Sequence, residues 1–168
     1  MSKKVDSYRY VGYFTRKLIK AWIARESPHE IPWTPLAKPL ADSTVALVST
    51  AAVALTSDRP FDQEGERRDP WWGDPSYRVI PNSATEREVS IYHLHVDPSH
   101  AEQDLNCAFP LARLQELARD GVVGESAPSH YSYMGYILRP RVLLEESTPA
   151  MIERMKAEQV DVVLLVPF

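Results

Sequence analysis

The chain has 168 residues, of which 44% are apolar and 25% charged, and a formal charge of −4; this suits one domain that buries roughly 70% of its unfolded surface by size scaling. Basic residues lie scattered among acids at 64–69, 113–120 and 153–158, which excludes a general attraction to phosphate backbones, so no nucleic-acid partner is expected. The apolar run 44–55 is too short to span a bilayer and the amino terminus lacks a long apolar segment, so a cytoplasmic location with no membrane partner is expected.

In chain order, Phe14, Leu18 and Trp22 recur four apart with Ile19 and Ile23 alongside, which predicts an amphipathic helix over 15–25. Pro28, Pro32, Pro35 and Pro39 then forbid a long helix, and 30–40 should run extended over the domain with Trp33 as an anchor. Residues 1–40 thus read as a helix and a proline-rich arm packed on an α/β domain of 41–168. Thr44–Ser49 reads as a β-branched strand buried on both faces. Roughly thirty residues of loop follow, punctuated by Pro60, Gly65, Pro70, Gly73 and Pro75, a length that usually has a functional or packing reason.

The next predicted strands are 77–80 and 89–96, the second with Val89, Ile91, His93, His95 and Asp97 on one face. Pro110 opens a helix with Leu111, Leu114, Leu117 and Ala118 on one side, and Gly121 stops it. Residues 131–138 form either a short strand or an irregular segment. Thr148-Pro149 gives a cap and first turn, and the helix over 150–159 turns Met151, Ile152 and Met155 inward. Residues 160–168, with Val162–Val166 at their centre, read as a buried core strand neighbouring Thr44–Ser49 in parallel. The order of elements predicts an α/β three-layer fold with a mostly parallel sheet, Rossmann-like but without a dinucleotide fingerprint. In such a sheet, loops carrying chemistry follow the carboxyl ends of the strands; the chain is expected to lack the part that follows its last strand.

Few residues offer chemistry. His93, His95 and Asp97, alternating on a strand, would point the same way and either hold a divalent metal or form a polar strand face satisfied by loop groups; no bound metal is expected. Asp104 and Asn106 either cap the loop-to-helix connection or bind a ligand. Cys107, the single cysteine, has apolar neighbours and no adjacent base, which describes a buried, inert thiol and only a weak candidate nucleophile. Ser49, Thr50, Ala51 and Ala52 either bind a small anion through exposed N–H groups or simply form a turn. The segment His130-Tyr131-Ser132-Tyr133-Met134-Gly135-Tyr136 suits a ligand pocket or a subunit contact. Thr50, Asp58, His93, His95, Asp104 and Asn106 are expected to border one substrate pocket.

Several stretches, taken together, are familiar. Trp33-Thr34-Pro35-Leu36, Lys38-Pro39-Leu40, Val45-Ala46-Leu47-Val48-Ser49-Thr50-Ala51, Asp74 with Tyr77-Arg78-Val79-Ile80-Pro81, and Asp104-Leu105-Asn106 with Phe109-Pro110-Leu111 and Arg113-Leu114 occur in this order. Gly121, Gly124, Tyr131-Ser132-Tyr133-Met134-Gly135-Tyr136 and the stretch from Asp161 to Pro167 continue the series. Across 30–168 the chain resembles the glycine/sarcosine/betaine reductase and D-proline reductase component B (selenoprotein B) family, in a short or truncated form.

The resemblance implies reductive cleavage of a small substrate's C–N bond by a selenocysteine or cysteine, with no separate cofactor. Similar members continue past the last strand into a cysteine- or selenocysteine-rich motif, and many place glycine where this chain has Ala52, which narrows the backbone freedom there. Three expectations follow for the missing nucleophile: a UGA codon after Phe168, a second polypeptide that supplies it, or a non-catalytic binding or assembly subunit. The last two imply an exposed apolar edge at Val162–Val166. All three imply a protein partner or self-association there. An isolated chain inactive in reductive cleavage is expected.

Overall fold

The computed structural model describes residues 12–25, 34–69 and 71–168. Two compact units divide the chain, 1–35 and 36–168. In the first, helix α1 (Tyr13–Ile23) forms near its predicted place and has no buried residue. Trp33, the predicted anchor, lies outside the described residues.

The second unit is an α/β fold built on a mixed sheet. Its central strand, β1 (Thr44–Ser49), is fully parallel in its pairings. β7 (Val162–Val166) runs beside it through five residue pairs, Val45 with Val162 to Ser49 with Val166. On the other side of β1 lie β5 (Glu125–Ser126) and then β6 (Ser129–Tyr133). β3 (Tyr77–Pro81) closes the sheet antiparallel to β6. β2 (Val53–Leu55) and β4 (Val89–Ile91) pair antiparallel as a separate ribbon. The sheet is therefore mixed, parallel in the three pairings made by β1 and antiparallel between β3 and β6.

Alternation along β1 feeds two cores. Val45 and Leu47 pack with Phe109 and with Leu111 and Leu114 of α4 (Leu111–Arg119). Val48 packs with Tyr131 and with Met151 and Met155 of α5 (Thr148–Ala157). Gly121, at φ +72°, ends α4 as expected, with Val122 N–H returning to the Leu117 carbonyl. Leu117 and Ile152, expected inward, are 42% and 43% exposed. Thr148 does not cap α5; it is already helical, and a wide five-residue turn, Leu143–Ser147, leads into the helix. Pro149 has no N–H to return to the preceding turn, which accounts for the widening.

Three expectations are corrected here. The long loop after β1 contains β2 and also α2 (Gln63–Arg68), capped by the Asp62 carboxylate on Gly65 N–H at 2.8 Å. The strand expected over 89–96 stops at Ile91, because the chain then turns through His93 and His95 toward α3 (Ser99–Gln103). β7 is not buried on both faces: Val162 and Val166 pack on the first core, while Val163, Leu164 and Leu165 are 39%, 46% and 68% exposed. A β-branched run specifies a strand, but its burial depends on whether another layer covers it.

Candidate functional site

The carboxyl ends of β1 and β7 meet at Thr50 and Phe168. Thr50 N–H donates to the Val166 carbonyl at 3.1 Å, and its hydroxyl accepts the Phe168 N–H at 2.8 Å. Every N–H from Thr50 to Val53 is spent internally, on Val166 O, Ser49 Oγ, Tyr133 O and Ser132 Oγ. That removes the donors of the expected anion site, and the turn reading holds.

His93 reaches this corner because the β2–β4 ribbon delivers it. Tyr92 N–H donates to the Ala52 carbonyl at 3.0 Å, so the residue after it emerges beside the end of β1. The His93 ring is buried and meets Phe168 edge-on with centroids 6.4 Å apart. Its Nδ1 accepts the His95 N–H at 3.2 Å, so the neutral ring carries its proton on Nε2. A Cβ added at Gly135 would lie 2.9 Å from that Nε2 and 3.0 Å from the Thr50 carbonyl, so glycine lets the chain after β6 close against both. Burial first, and then His95, hold His93 below the usual imidazole range.

His95 sits one turn further on. Its Nε2 is 2.6 Å from Glu66 Oε1, and its ring lies against Tyr136 with centroids 4.1 Å apart. Glu66 is buried on α2, and Gln63 Nε2 ties that helix to the Tyr92 carbonyl at 2.8 Å, just before His93. Five segments thus converge at the carboxyl end of the parallel strands: the ends of β1 and β7, the loops after β4 and β6, and the middle of α2. This is where open α/β sheets place ligands.

Of the six residues expected around one pocket, the structure brings Thr50, His93 and His95 together. Asp58 instead lines a cleft of about 530 Å³ with Asp62, Trp72, Asp74 and Arg78. Asp104 and Asn106 belong to a third place. Asp104 accepts from Asn106 N–H at 3.0 Å and Nδ2 at 2.8 Å, and these bonds hold its carboxyl below the usual carboxylate range. Asn106 Nδ2 also reaches Glu86 Oε1 at 3.2 Å. The capping reading fits them. Cys107, expected to be buried, is exposed. Asp97 does not share a face with the histidines; it accepts from Ser99 N–H at 3.0 Å. Among the described residues no group of three His, Cys, Asp or Glu side chains is placed to hold a metal ion.

Glu66 and Phe168 were not read from the sequence as site residues. Glu66 looks like one member of the mixed charge run 64–69, and nothing local distinguishes the one carboxylate that turns inward.

No family model and no solved structure matches the chain. Among curated proteins, it is 35% identical over 133 residues to D-proline reductase subunit gamma of Acetoanaerobium sticklandii. The match takes in 79% of this chain and 52% of that protein, so the chain spans about half the length of the relative. The relative supports the resemblance to the glycine/sarcosine/betaine reductase and D-proline reductase component B family.

Proposed function

We propose that this chain is a component of a selenol- or thiol-dependent reductase that cleaves the C–N bond of a small amino acid or amine, of the glycine, sarcosine, betaine or proline type. The observation that carries this reading is the convergence of Thr50, His93 and His95 at the carboxyl edge of β1 and β7. His93 Nε2–H is a neutral donor beside the ends of β1 and β7. The name of the relative, a D-proline reductase subunit, supports the reaction class. The packing of α4 and α5 against opposite faces of β1 supports a three-layer, Rossmann-like arrangement. Among the described residues no helix is long and apolar enough to cross a membrane, and a cytoplasmic setting fits the family.

The nucleophile is taken to come from outside these 168 residues or from a partner. Cys107, exposed and with no base adjacent in the sequence, is the weaker candidate. A second reading, a non-catalytic binding or assembly subunit, is favoured by the exposed apolar strand β7.

Turnover assays decide between them. With a dithiol as reductant, the purified 168-residue chain is expected to leave glycine, sarcosine, betaine and proline unchanged, and to support turnover of one of them once its partner components are added. A complete complex whose activity is indifferent to His93→Ala would favour the assembly reading. Turnover by the isolated chain that is lost on Cys107→Ser would move the nucleophile to Cys107.

A further inference from the structure

Glu66 and His95 form an arrangement that the substrate pocket does not require. The Glu66 side chain is 2% exposed. Its Oε1 is 2.6 Å from His95 Nε2, while its Oε2 is buried with no hydrogen-bond partner among the described residues. A desolvated carboxyl group with one partner holds that partner's ring in a fixed orientation and tautomer. One proton therefore sits between Glu66 and Nε2.

The opposite side of the ring faces outward. The His95 side chain is 47% exposed, and no hydrogen bond occupies its Nδ1 among the described residues. Tyr136, on the loop after β6, supports one face of the ring. The titratable groups around His95 are Glu66 from α2, Tyr136, and His93 from the same loop. A carboxyl group, an imidazole fixed through one nitrogen, and an open second nitrogen are two members of a nucleophile-activating triad. Among the described residues no hydroxyl or thiol is bonded to that second nitrogen as the third member.

We propose that His95 is the base for an incoming thiol and that Glu66 is the residue that positions it. The S–H bond breaks, its electron pair stays on sulfur, the proton passes to His95 Nδ1, and no electron changes hands. The thiolate is then available to a reductase site, so the proposal rests on the reductase reading above. A thiol is the fitting class because its ordinary pKa of ~8.5 leaves it largely protonated at neutral pH, whereas a selenol ionises there without help. Burial holds His93 below the usual imidazole range, which disfavours a second positive ring beside His95.

The test uses the reductase assembled from this chain and its partner components, with dithiothreitol as the sole reductant. His95→Ala is expected to lower the rate at pH 7 by about 10²- to 10³-fold, the usual range for a lost general base. That deficit should shrink by about tenfold per pH unit toward the thiol's own pKa, as thiolate forms without a base. Added imidazole should restore part of the rate. Glu66→Gln, which keeps an acceptor in the same place, should show the same pH trend with a smaller loss. A deficit that is constant with pH, or wild-type rates in both variants, overturns the base role and leaves the reductase reading standing. A wild-type complex that turns over no substrate overturns the reductase reading and the base role with it.

Discussion

One hydroxyl joins Thr50 to Phe168: Thr50 Oγ1 accepts the Phe168 N–H at 2.8 Å and lies 3.3 Å from the Phe168 carbonyl, to which it donates. Strand pairing between β1 and β7 ends at Ser49 and Val166, so this side chain extends the junction past the last backbone pair and sets Phe168 against His93.

Thr50→Val keeps the shape and removes both bonds. A net loss of about 1 to 2 kcal/mol is expected from two partly buried hydrogen bonds, read as a lower urea midpoint with an unchanged slope. Thr50→Ser should stay within a few tenths of a kcal/mol of wild type. Equal midpoints for the valine and serine variants would show that the hydroxyl does not hold the junction.

Ala52 is a fully buried alanine at φ +53°, in the left-handed region. Glycine there would relieve about 1 to 2 kcal/mol of backbone strain. Against that stand about 0.4 to 1 kcal/mol of added unfolded-state entropy and about 0.8 kcal/mol for the buried methyl. The terms nearly cancel, so Ala52→Gly should be close to neutral in thermal denaturation. Ala52→Val, β-branched in the same conformation, should cost more than about 2 kcal/mol. A valine variant as stable as wild type would mean that the turn has moved.

A Cβ at Gly73 would collide with the Tyr136 carbonyl oxygen and lie 2.9 Å from its carbon, both backbone atoms that cannot step aside as a flexible side chain would. Gly73→Ala is expected to destabilise the fold by about 1 to 3 kcal/mol. It should also shift the loop that places Tyr136 on His95, visible in NMR as a changed ring-current shift of the His95 ring protons. An unchanged His95 spectrum would break the link between the two loops.

The central architecture was legible because its signals are local and redundant. The β-branched run at Thr44–Ser49, the Pro110 start of α4, the Gly121 stop and the parallel pairing of the first and last strands all emerge as read. The site was half legible. His93 and His95 stood out, yet the strand meant to align them ends at Ile91, before either of them, and they meet through a turn instead. Asp104 and Asn106 shared the chemistry expected of a pocket, but their side chains are spent on the turn they cap. Glu66 could not be read at all, since its inward direction follows from α2 being tied to Tyr92 through Gln63, a long-range contact with no sequence period.

His130 gives a pH dependence with a defined sign. It is fully buried in β6, its Nδ1 accepts the Leu47 N–H at 3.0 Å, and burial pushes its pKa down to about 4. Above pH ~6.5 the ring is neutral in folded and unfolded chains alike, and its contribution is complete. As pH falls from there toward 4, the unfolded chain takes a proton that the folded chain refuses, and up to about 3 kcal/mol is lost. His130→Asn keeps an acceptor near Leu47 and removes the titration, so its stability should fall less steeply across that window. Parallel curves for variant and wild type, measured by urea unfolding at a series of pH values, would contradict the assignment.

β7 carries the last expectation. It pairs with β1 on one side, and its other edge has no strand partner among the described residues. Val163, Leu164 and Leu165 are exposed beside that edge, without the charges or prolines that normally protect an edge strand from pairing with another chain. Self-association through this strand would remove both the open backbone and the apolar patch from water. Sedimentation velocity should therefore show wild-type chain moving from monomer to dimer as concentration rises through the micromolar range, and Leu165→Lys should hold it monomeric at the same concentrations. The substitution sits on a side chain 68% exposed, so it should leave the thermal midpoint of the monomer nearly unchanged. A wild-type chain that stays monomeric throughout, or a lysine variant that dimerises equally well, would assign the contact to a different surface.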